Sequence, residues 1–421
     1  MKTGTIITSL DIGTTKICAI IAATTEEGEL EVLGIGTNKS EGLSNGVVND
    51  IRKASKSISS AIEEAELMAD RMARNIHVGI AGEHIKSQNT IGRISLSSGS
   101  EPCEIDGNHI NDVINNAKNN VKIQQGNEKL EIIHAIPQYY DIDGQKGIRN
   151  PLNMSGFNLT AYVHVVMAEI TSINNIKKCV EIAGYKVKDI LLEPVASSYS
   201  VLNEVEKKLG AIIIDIGGGT TDIAVFYKNS IRFSAVISLG GTNITQDISI
   251  GLHSTPDNAE EIKKDVGNAV AHTVPKEKIV EIKGIAGREP KQKKLRYISE
   301  IIEARMREIF EDAYKILNEH HNLKLITAGL TLTGGASLLK NSEYLAEEIF
   351  NMSTKTGYPN LENLGGPTER LNNPKYATAI GVLYYVHNKM KEEDEYLRSP
   401  IIKDPFTNII RKIKEYFKNY I

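Results

Sequence analysis

Two segments of the sequence place an aspartate, a glycine turn and threonines between apolar, β-branched runs. The first spans residues 5–23 and contains Asp11, Gly13, Thr14, Thr15 and Lys16. The second spans residues 211–227 and contains Asp215, Gly217, Gly218, Gly219 and Thr220. Glycine lets backbone N–H groups approach a phosphate where a Cβ would collide, and threonines add hydroxyl donors. Each segment therefore predicts a β-hairpin able to bind phosphate.

The two aspartates end their apolar strands, where carboxylates can hold the water shell of Mg²⁺. Either segment alone equally fits an ordinary glycine-rich hairpin. However, Asp11 and Asp215 lie 204 residues apart in a chain of 421 residues. That separation of half a chain indicates a duplicated, two-lobed protein holding a nucleotide phosphate between its lobes. Neither segment is a Walker loop or a Rossmann fingerprint, because both lack the required glycine spacing.

Three other places could complete a nucleotide site. Gly334, Gly335 and Ala336 follow an apolar run, and their backbone could lie against a purine and ribose. Glu260 and Lys263, one helical turn apart, could face a ribose and base, although without further context this spacing better fits an exposed pair on a solvated helix. Glu193 precedes a proline and a small-residue helix, where a carboxylate could orient an attacking water.

Strand-like runs alternate with helical periodicity, so the predicted fold class is α/β. The expected helices span residues 51–73, 110–121, 170–183, 196–207, 258–270, 295–317, 338–350 and 377–390. A chain of this length suggests two to three folding units. The charged stretch 388–404, with Pro400 and Pro405 nearby, is typical of a linker that leaves the globular body.

Composition excludes several classes of protein. The 49 Lys and Arg residues nearly balance 53 Asp and Glu, giving a net charge of −4 and no global attraction to nucleic acid. The 41% hydrophobic content is too high for a disordered chain. Three separated cysteines without a C-x-x-C pair argue against a disulfide framework or zinc site. The sequence shows neither a secretory signal nor a run of about 18–20 uncharged residues that would span a bilayer.

Residues 404–421 have the pattern of an amphipathic helix. The apolar stripe comprises Ile409, Ile410, Ile413, Tyr416, Phe417, Tyr420 and Ile421. The opposite side carries Arg411, Lys412, Lys414 and Lys418. A cationic, aromatic-containing helix of this kind fits one that lies in the headgroup region of an anionic membrane. The alternative is a helix docked on the protein's own globular body.

These motifs, in this order, resemble those of the actin, heat-shock-chaperone and sugar-kinase superfamily of ATPases. Within it, the chain resembles the FtsA family of bacterial cell-division proteins along nearly its whole length. Stretches that carry this resemblance are residues 42–49, 79–85, 133–138, 147–156, 240–245 and 374–379. The run from 133 to 156 is the most specific, since a kinase or chaperone has no reason to share it. Small-molecule kinases and pilus-assembly ATP-binding proteins of the superfamily are the alternative functions.

The resemblance implies an actin-like fold of two duplicated ribonuclease-H-like lobes with an FtsA-type subdomain 1C. The implied boundaries are 1–83 plus 165–195 for 1A, 84–164 for 1C, 196–230 plus 302–390 for 2A, 231–301 for 2B, 391–403 for a linker and 404–421 for a membrane-targeting helix. It assigns both hairpins, Glu260, Lys263 and residues 334–336 to ATP. It also assigns Asp11 and Asp215 to Mg²⁺ through water, and Glu193 to water positioning. Because turnover additionally needs Glu193 and a water to be aligned, the expected activity is slow ATP hydrolysis at most.

The resemblance further implies partners and a location. The expected partners are the C-terminal tail of FtsZ, further copies of the chain in a head-to-tail filament, and later division proteins at subdomain 1C. The expected location is the cytoplasmic face of the cell membrane at the division septum. Residues 276–307 hold ten Lys and Arg against five Glu. That stretch is either a solvated face or, including Arg305 or Arg307, the binding surface for the FtsZ tail.

Overall fold

The computed structural model describes residues 4–398 except 98, 122–123, 126–127, 285–288 and 321–322. Its strands are β1 (Ile6–Ile12), β2 (Lys16–Thr24), β3 (Leu30–Lys39), β4 (Leu43–Ser44), β5 (Val47–Val48), β6 (Ile76–Ile80), β7 (Ile85–Ser95), β8 (Cys103–Glu104), β9 (Gln124–Gln125), β10 (Glu128–Ile142), β11 (Gln145–Ile148), β12 (Ser155–Gly156), β13 (Asn158–Glu169), β14 (Val187–Leu192), β15 (Ala211–Ile216), β16 (Thr221–Tyr227), β17 (Ser230–Ile237), β18 (Ile279–Ile282), β19 (Lys291–Lys294), β20 (Gly329–Thr333), β21 (Thr354–Thr356) and β22 (Leu364–Gly365).

The α-helices are α1 (Ile51–Ala69), α2 (Gly107–Asn119), α3 (Ile170–Ile182), α4 (Glu193–Val201), α5 (Glu204–Leu209), α6 (Gly241–Leu252), α7 (Pro256–Val266), α8 (Leu295–His320), α9 (Ser342–Phe350) and α10 (Ala377–Arg398). The predicted α/β class is confirmed. The expected helix at 196–207 is two helices, because the chain is extended at Leu202 and Asn203 caps α5. The pattern analysis missed α6.

The first sheet has the strand order β14-β6-β1-β2-β3-β22. Within it β1 and β2 form an antiparallel hairpin, and β1 pairs in parallel with β6. Alternate residues of β2 face opposite layers, with Ile17 and Ile21 packed toward α1 and α3, and Ile20 packed toward α10. Because helices cover both faces, β1 and β2 read as continuous apolar runs rather than alternating ones.

The second sheet has the strand order β17-β16-β15-β20-β21 and repeats this arrangement. The hairpin of β15 and β16 is antiparallel, and β15 pairs in parallel with β20. One face packs on α6 and α8, while the other packs on α4, which lies between the two sheets. The duplication predicted from the two aspartate-led segments is therefore a duplication of sheet topology.

A third sheet, inserted between β6 and α3 in the chain, has the order β11-β10-β13-β7 and packs on α2. Its last strand continues to Glu169, past the expected boundary at 164. The sheet also reaches the edge strand β17 of the second lobe. Ser87 Oγ donates to Ser234 O at 2.7 Å and Gln138 Nε2 donates to Ile231 O at 2.9 Å. The insert is thus continuous in the chain with the first lobe and hydrogen-bonded to the second.

Helix α10 packs on the first sheet, through Ile380, Leu383 and Val386. The expected boundaries placed residues up to 390 in the second lobe, so the structure differs there. Apolar burial explains the difference, because the face of the first sheet opposite α1 would otherwise lie open to water. The helix also continues to Arg398, eight residues past Met390, where the globular body was expected to end. No helix in the described part of the chain is long and apolar enough to cross a bilayer.

Candidate functional site

The two aspartate-led segments form equivalent turns at the ends of their strands. In the first, the Gly13 N–H donates to Lys16 O at 3.1 Å, and in the second the Gly217 N–H donates to Thr220 O at 2.9 Å. A Cβ at Gly13 would lie 2.8 Å from Lys16 O, so this turn requires glycine. Both hairpins therefore end in a tight turn, as the sequence predicts.

The structure brings these two turns face to face. A Cβ at Gly218 would lie 2.5 Å from the Thr15 side chain, and one at Gly219 would lie 2.6 Å from Thr14 Oγ1. Thr14 Oγ1 also accepts a hydrogen bond from the Gly46 N–H at 3.2 Å. Backbone and hydroxyl groups from both lobes thus converge on one place, which is what a phosphate chain needs.

The N-terminus of α6 fixes the second turn. The Gly241 N–H donates to Gly217 O at 2.9 Å, and the Thr242 N–H donates to Gly218 O at 2.7 Å. Gly240 has no room for a side chain, since its Cβ would lie 2.7 Å from Gly218 O. Sequence analysis noted the stretch 240–245 only as part of a resemblance. Its structural role is to bind the carbonyl groups of the second turn.

Asp215 is buried and anchored by hydroxyl groups. Its Oδ2 accepts hydrogen bonds from Ser197 Oγ at 2.8 Å and from Thr378 Oγ1 at 3.4 Å. Burial raises the pKa of Asp215 to about 6, although the bond from Ser197 opposes that shift. Ser197 and Thr378 were not predicted as site residues, because each is distant in the sequence.

Asp222 is a further site carboxylate that sequence analysis missed. It lies directly opposite Asp215 in the register of β15 and β16, and its Oδ1 is buried without a hydrogen-bond partner. Burial and then the charge of Asp215 raise its pKa well above the usual value. The register of the hairpin could have found Asp222, because it places this residue opposite Asp215. The first hairpin has no second carboxylate there, since Cys18 occupies the corresponding position opposite Asp11.

Asp11 and Glu193 complete the acidic group. Burial raises the pKa of Asp11, and the Lys16 ammonium, 4.0 Å from its Oδ2, opposes that shift. Desolvation, followed by the charge of Asp11, raises the pKa of Glu193 well above its usual value. Glu193 begins α4, between the two sheets. The four carboxylates therefore disfavour one another's ionised forms.

The four carboxylates could accept hydrogen bonds from the water shell of a cation. Within the described residues, no three His, Cys, Asp or Glu side chains are placed to bind a metal ion directly. Mg²⁺ commonly keeps several of its waters, and those waters can donate to carboxylates that do not converge on one point. The partnerless Oδ1 of Asp222 and the raised pKa of Asp215 both mark places where a cation would stabilise the ionised carboxylates.

Lys16 is positioned by a loop far along the chain. Its Nζ donates to Lys375 O at 2.6 Å and lies 4.3 Å from the ring centroid of Tyr376. Only a small part of its side chain is exposed, beside Asp11. The ammonium is thereby held beside Asp11 and the Tyr376 ring.

Glu260 and Lys263 are not an exposed pair on a solvated helix face. Lys263 is buried, and its Nζ donates to Gly241 O at 2.8 Å and contacts Glu260 Oε2 at 2.6 Å. Thr245 Oγ1 donates to the same carboxylate. A Cβ at Gly241 would lie 3.4 Å from both Lys263 Nζ and Ala336 Cβ. The pair therefore adjoins the glycine loop that was predicted to face adenosine.

Two neighbouring glycines of that loop have different surroundings. Gly334 has φ +82°, and its Cβ would lie 2.3 Å from Asp215 Oδ1. A Cβ at Gly335 would have no heavy atom within 4 Å. Gly334 is thus required by the fold, whereas Gly335 borders open space on the side where a nucleotide is predicted.

Arg305 and Arg307, predicted to contact a partner, are paired within the chain. Arg305 binds Asp247, with Nε 2.6 Å from Oδ2 and Nη2 3.1 Å from Oδ1. Arg307 Nη1 lies 2.9 Å from Glu348 Oε1 and its Nη2 lies 3.2 Å from Glu303 Oε1. A partner carboxylate must therefore join or replace these ion pairs. All predicted membrane residues, in 404–421, lie outside the described residues.

Comparisons with known families identify two matching regions. A family model described as cell division protein FtsA matches residues 212–381. A second model, described as an SHS2 domain inserted in FtsA, matches residues 82–167. The first match lies on the second lobe and ends in the first turns of α10, and the second lies on the inserted sheet.

Curated relatives match along most of their length. The chain is 39% identical over 392 residues to the cell division protein FtsA of Pseudomonas aeruginosa, covering 93% of this chain and 92% of that protein. It is 38% identical over 380 residues to FtsA of Neisseria meningitidis, covering 90% and 89%. It is 34% identical over 391 residues to FtsA of Escherichia coli K12, covering 90% of each.

Solved structures share the fold at low identity. The PilM-PilN type IV pilus biogenesis complex has a TM-score of 0.65 at 14% identity, covering 90% of this chain and 98% of that chain. MreB5 of Spiroplasma citri bound to ADP has a TM-score of 0.54 at 16% identity, covering 93% and 98%. Identities this low establish an actin-like architecture and nothing about ligands.

Proposed function

The chain belongs to the FtsA family of cell-division proteins, and we propose that it binds Mg²⁺–ATP between its lobes and tethers the division ring to the membrane. The observation that carries nucleotide binding is the face-to-face contact of the two turns, with Gly218 against Thr15 and Gly219 against Thr14. A binding site formed jointly by two lobes makes lobe closure depend on the ligand. MreB5 of Spiroplasma citri, which shares this architecture, was solved bound to ADP.

In this proposal the backbone N–H groups and threonines of both turns bind the phosphates. Lys16 pairs with phosphate charge, and Asp11 and Asp215 accept hydrogen bonds from Mg²⁺-bound water, with Asp222 as a third acceptor. Mg²⁺, when bound, neutralises charge on the phosphates. Glu260, Lys263 and residues 334–336 border the adenosine.

Glu193 holds a water in this proposal but is a poor base. Desolvation and then the charge of Asp11 raise its pKa well above the usual value, which favours the protonated carboxyl in the nucleotide-free protein. A protonated carboxyl can orient water without taking its proton. We therefore expect slow ATP hydrolysis at most, and rapid turnover by dilute monomer would contradict this assignment.

The glycine pair of the adenosine loop provides the test of nucleotide binding. Gly335→Ala is expected to leave the urea midpoint unchanged but to weaken binding of a fluorescent ATP analogue by about tenfold or more, equal to ~1.4 kcal/mol. The reason is that its Cβ meets no protein atom but enters the predicted nucleotide space. Gly334→Ala is the matched control, expected to lower stability because of its φ and its contact with Asp215. Unchanged affinity in Gly335→Ala would place the nucleotide elsewhere.

We further propose that the chain forms head-to-tail filaments at the septum, on the cytoplasmic face of the membrane. There it recruits FtsZ through the FtsZ C-terminal tail and later division proteins through the inserted sheet. Family membership supports these partners, and the cationic amphipathic pattern of 404–421 supports attachment to anionic lipid. Filament formation would strengthen attachment, because one polymer presents many helices.

The tail-binding surface is testable at the paired arginines. The double variant Arg305→Glu, Arg307→Glu is expected to lower FtsZ-tail peptide affinity about tenfold or more, because it reverses two charges at the predicted surface. Fluorescence anisotropy measures the affinity, and circular dichroism checks the fold, since Asp247 and Glu348 lose their partners. Lys315→Glu, exposed on the same helix α8 and outside the basic stretch, is the matched control. Equal affinity in variant and wild type would refute this placement.

A further inference from the structure

An apolar hollow with an acidic rim lies at the C-terminal end of α1. It has a volume of about 510 Å³ and is lined by Glu63, Glu66, Leu67, Asp70, Arg71 and Met72. Leu67 is 85% exposed and Met72 is 66% exposed. Two large apolar side chains that share one hollow leave a surface that water solvates poorly and that an apolar partner would cover favourably.

The negative charge around this hollow favours a cationic partner. Its lining contains three carboxylates and one guanidinium. The Glu66 carboxylate is held in place, because it accepts hydrogen bonds from the Ala73 N–H at 2.7 Å and from Tyr185 Oη at 3.1 Å. An apolar floor with fixed negative charge beside it matches a helix that has an apolar stripe and a cationic flank.

The chain itself contains such a segment, and its attachment point is close to the hollow. Met72 is five residues from His77, whose Nδ1 lies 3.0 Å from Asp189 Oδ2. Asp189 Oδ1 in turn lies 4.0 Å from Lys389 Nζ on α10. The hollow and α10 are therefore at the same edge of the first sheet, roughly 30 Å apart or less by extended-chain geometry.

Chain length permits the connection. From Arg398, the last residue of α10, five residues precede residue 404, where the amphipathic pattern begins. Five extended residues span up to about 17 Å. The nine residues after Lys389 span roughly 13 Å of helix. Measured from Lys389, the connection to residue 404 is therefore at most about 30 Å long, which equals the upper bound on the separation of the hollow from α10.

We propose that residues 404–421 dock in the hollow at the end of α1 when no membrane is present, so that the hollow and anionic lipid compete for the same apolar stripe. The competition with lipid rests on the proposed membrane role of that segment. The docking itself does not depend on that role. Docking covers Leu67 and Met72 with the stripe and places Arg411, Lys412, Lys414 or Lys418 beside the acidic rim. It keeps a soluble pool of the protein from binding lipid before filaments form.

Cysteine cross-linking in the full chain tests the docking without lipid. The variant carries Cys103→Ser to remove the more accessible native thiol, with Leu67→Cys and Ile413→Cys as the pair. Mild oxidation is expected to give a monomeric, faster-migrating band on a non-reducing gel, and anionic vesicles added beforehand are expected to suppress it. The matched control pairs Val205→Cys, 64% exposed in the second lobe, with Ile413→Cys. Cross-linking no stronger than in this control, or a band of dimer size, would overturn the proposal.

Vesicle binding supplies the second measurement. Leu67→Ser with Met72→Ser in the full chain is expected to raise affinity for anionic vesicles about threefold or more, because the docked state no longer competes. Val205→Ser is the control, expected to bind as wild type. Unchanged affinity in the double variant would also overturn the proposal. A cross-link without any vesicle binding would instead refute the membrane role and leave the docking intact.

Discussion

Asp215→Asn is expected to abolish Mg²⁺–ATP binding while making the nucleotide-free chain more stable at pH 8. The buried carboxylate, whose pKa burial raises to about 6, is ionised at that pH in surroundings that disfavour its charge. Asparagine keeps an oxygen that can accept from Ser197 and removes the charge. Because Asp11, Asp222 and Glu193 lie near it, removing one charge also relieves repulsion among the others. Mg²⁺-dependent binding of ATP is lost because the carboxylate that accepts hydrogen bonds from the Mg²⁺-bound waters is lost.

The pH dependence gives the sign of this effect. A carboxyl whose pKa is higher in the folded than in the unfolded state binds more protons when folded, so its contribution to stability falls as pH rises from about 4 to 6. The gain of Asp215→Asn is therefore expected to be near zero below pH 4 and largest above pH 6, on the order of 1–3 kcal/mol. Urea unfolding of both proteins across this range measures it.

Only the difference between the two proteins is informative, because buried histidines titrate in the same range. Burial lowers the pKa of His84, His134 and His164 to about 4, so their contribution to stability rises with pH in both proteins. Asp112→Asn, exposed on α2, is the matched control and is expected to leave both stability and nucleotide binding unchanged. A pH-independent difference for Asp215→Asn would show that relief of a buried charge is not the cause.

Removing residues 404–421 is expected to abolish flotation of the chain with anionic liposomes. The stripe from Ile409 to Ile421 provides the apolar insertion and the four cations attract anionic lipid, at about 1 kcal/mol each. Ile413→Asn with Phe417→Asn is expected to have nearly the same effect, whereas Thr407→Asn, outside the stripe, is not. Raising the salt concentration is expected to weaken flotation of the wild type. Equal flotation of full and shortened chains would refute the tether.

The two hairpins could be predicted from the sequence because their signal is local. Apolar strands, an aspartate and a glycine turn lie within about twenty consecutive residues in each case. Their partner residues could not be predicted in this way. Ser197 and Thr378 reach Asp215 from α4 and α10, elements that come together only when both lobes pack. Such contacts depend on tertiary packing, which periodicity does not encode.

The other differences between the sequence-based predictions and the structure arise from burial and tertiary packing. Glu260 and Lys263 have the spacing of a solvated pair, and only the packing of α7 on α6 shows that Lys263 is buried. Helix α6 begins with Gly241 and carries threonines and isoleucines of low helix propensity, so local preference gave it little support. Its start is fixed instead by hydrogen bonds to the carbonyl groups of Gly217 and Gly218.

The inserted sheet bridges the two lobes, and this has a mechanical consequence. Its strands continue from the first lobe, while Ser87, Asn89 and Gln138 hold the backbone of β17 in the second. A hinge rotation that spreads the cleft must therefore stretch or re-pair this seam. The orientation of the insert is therefore expected to change with the angle between the two lobes. A protein that binds the outer surface of the insert would then respond to the opening of the cleft.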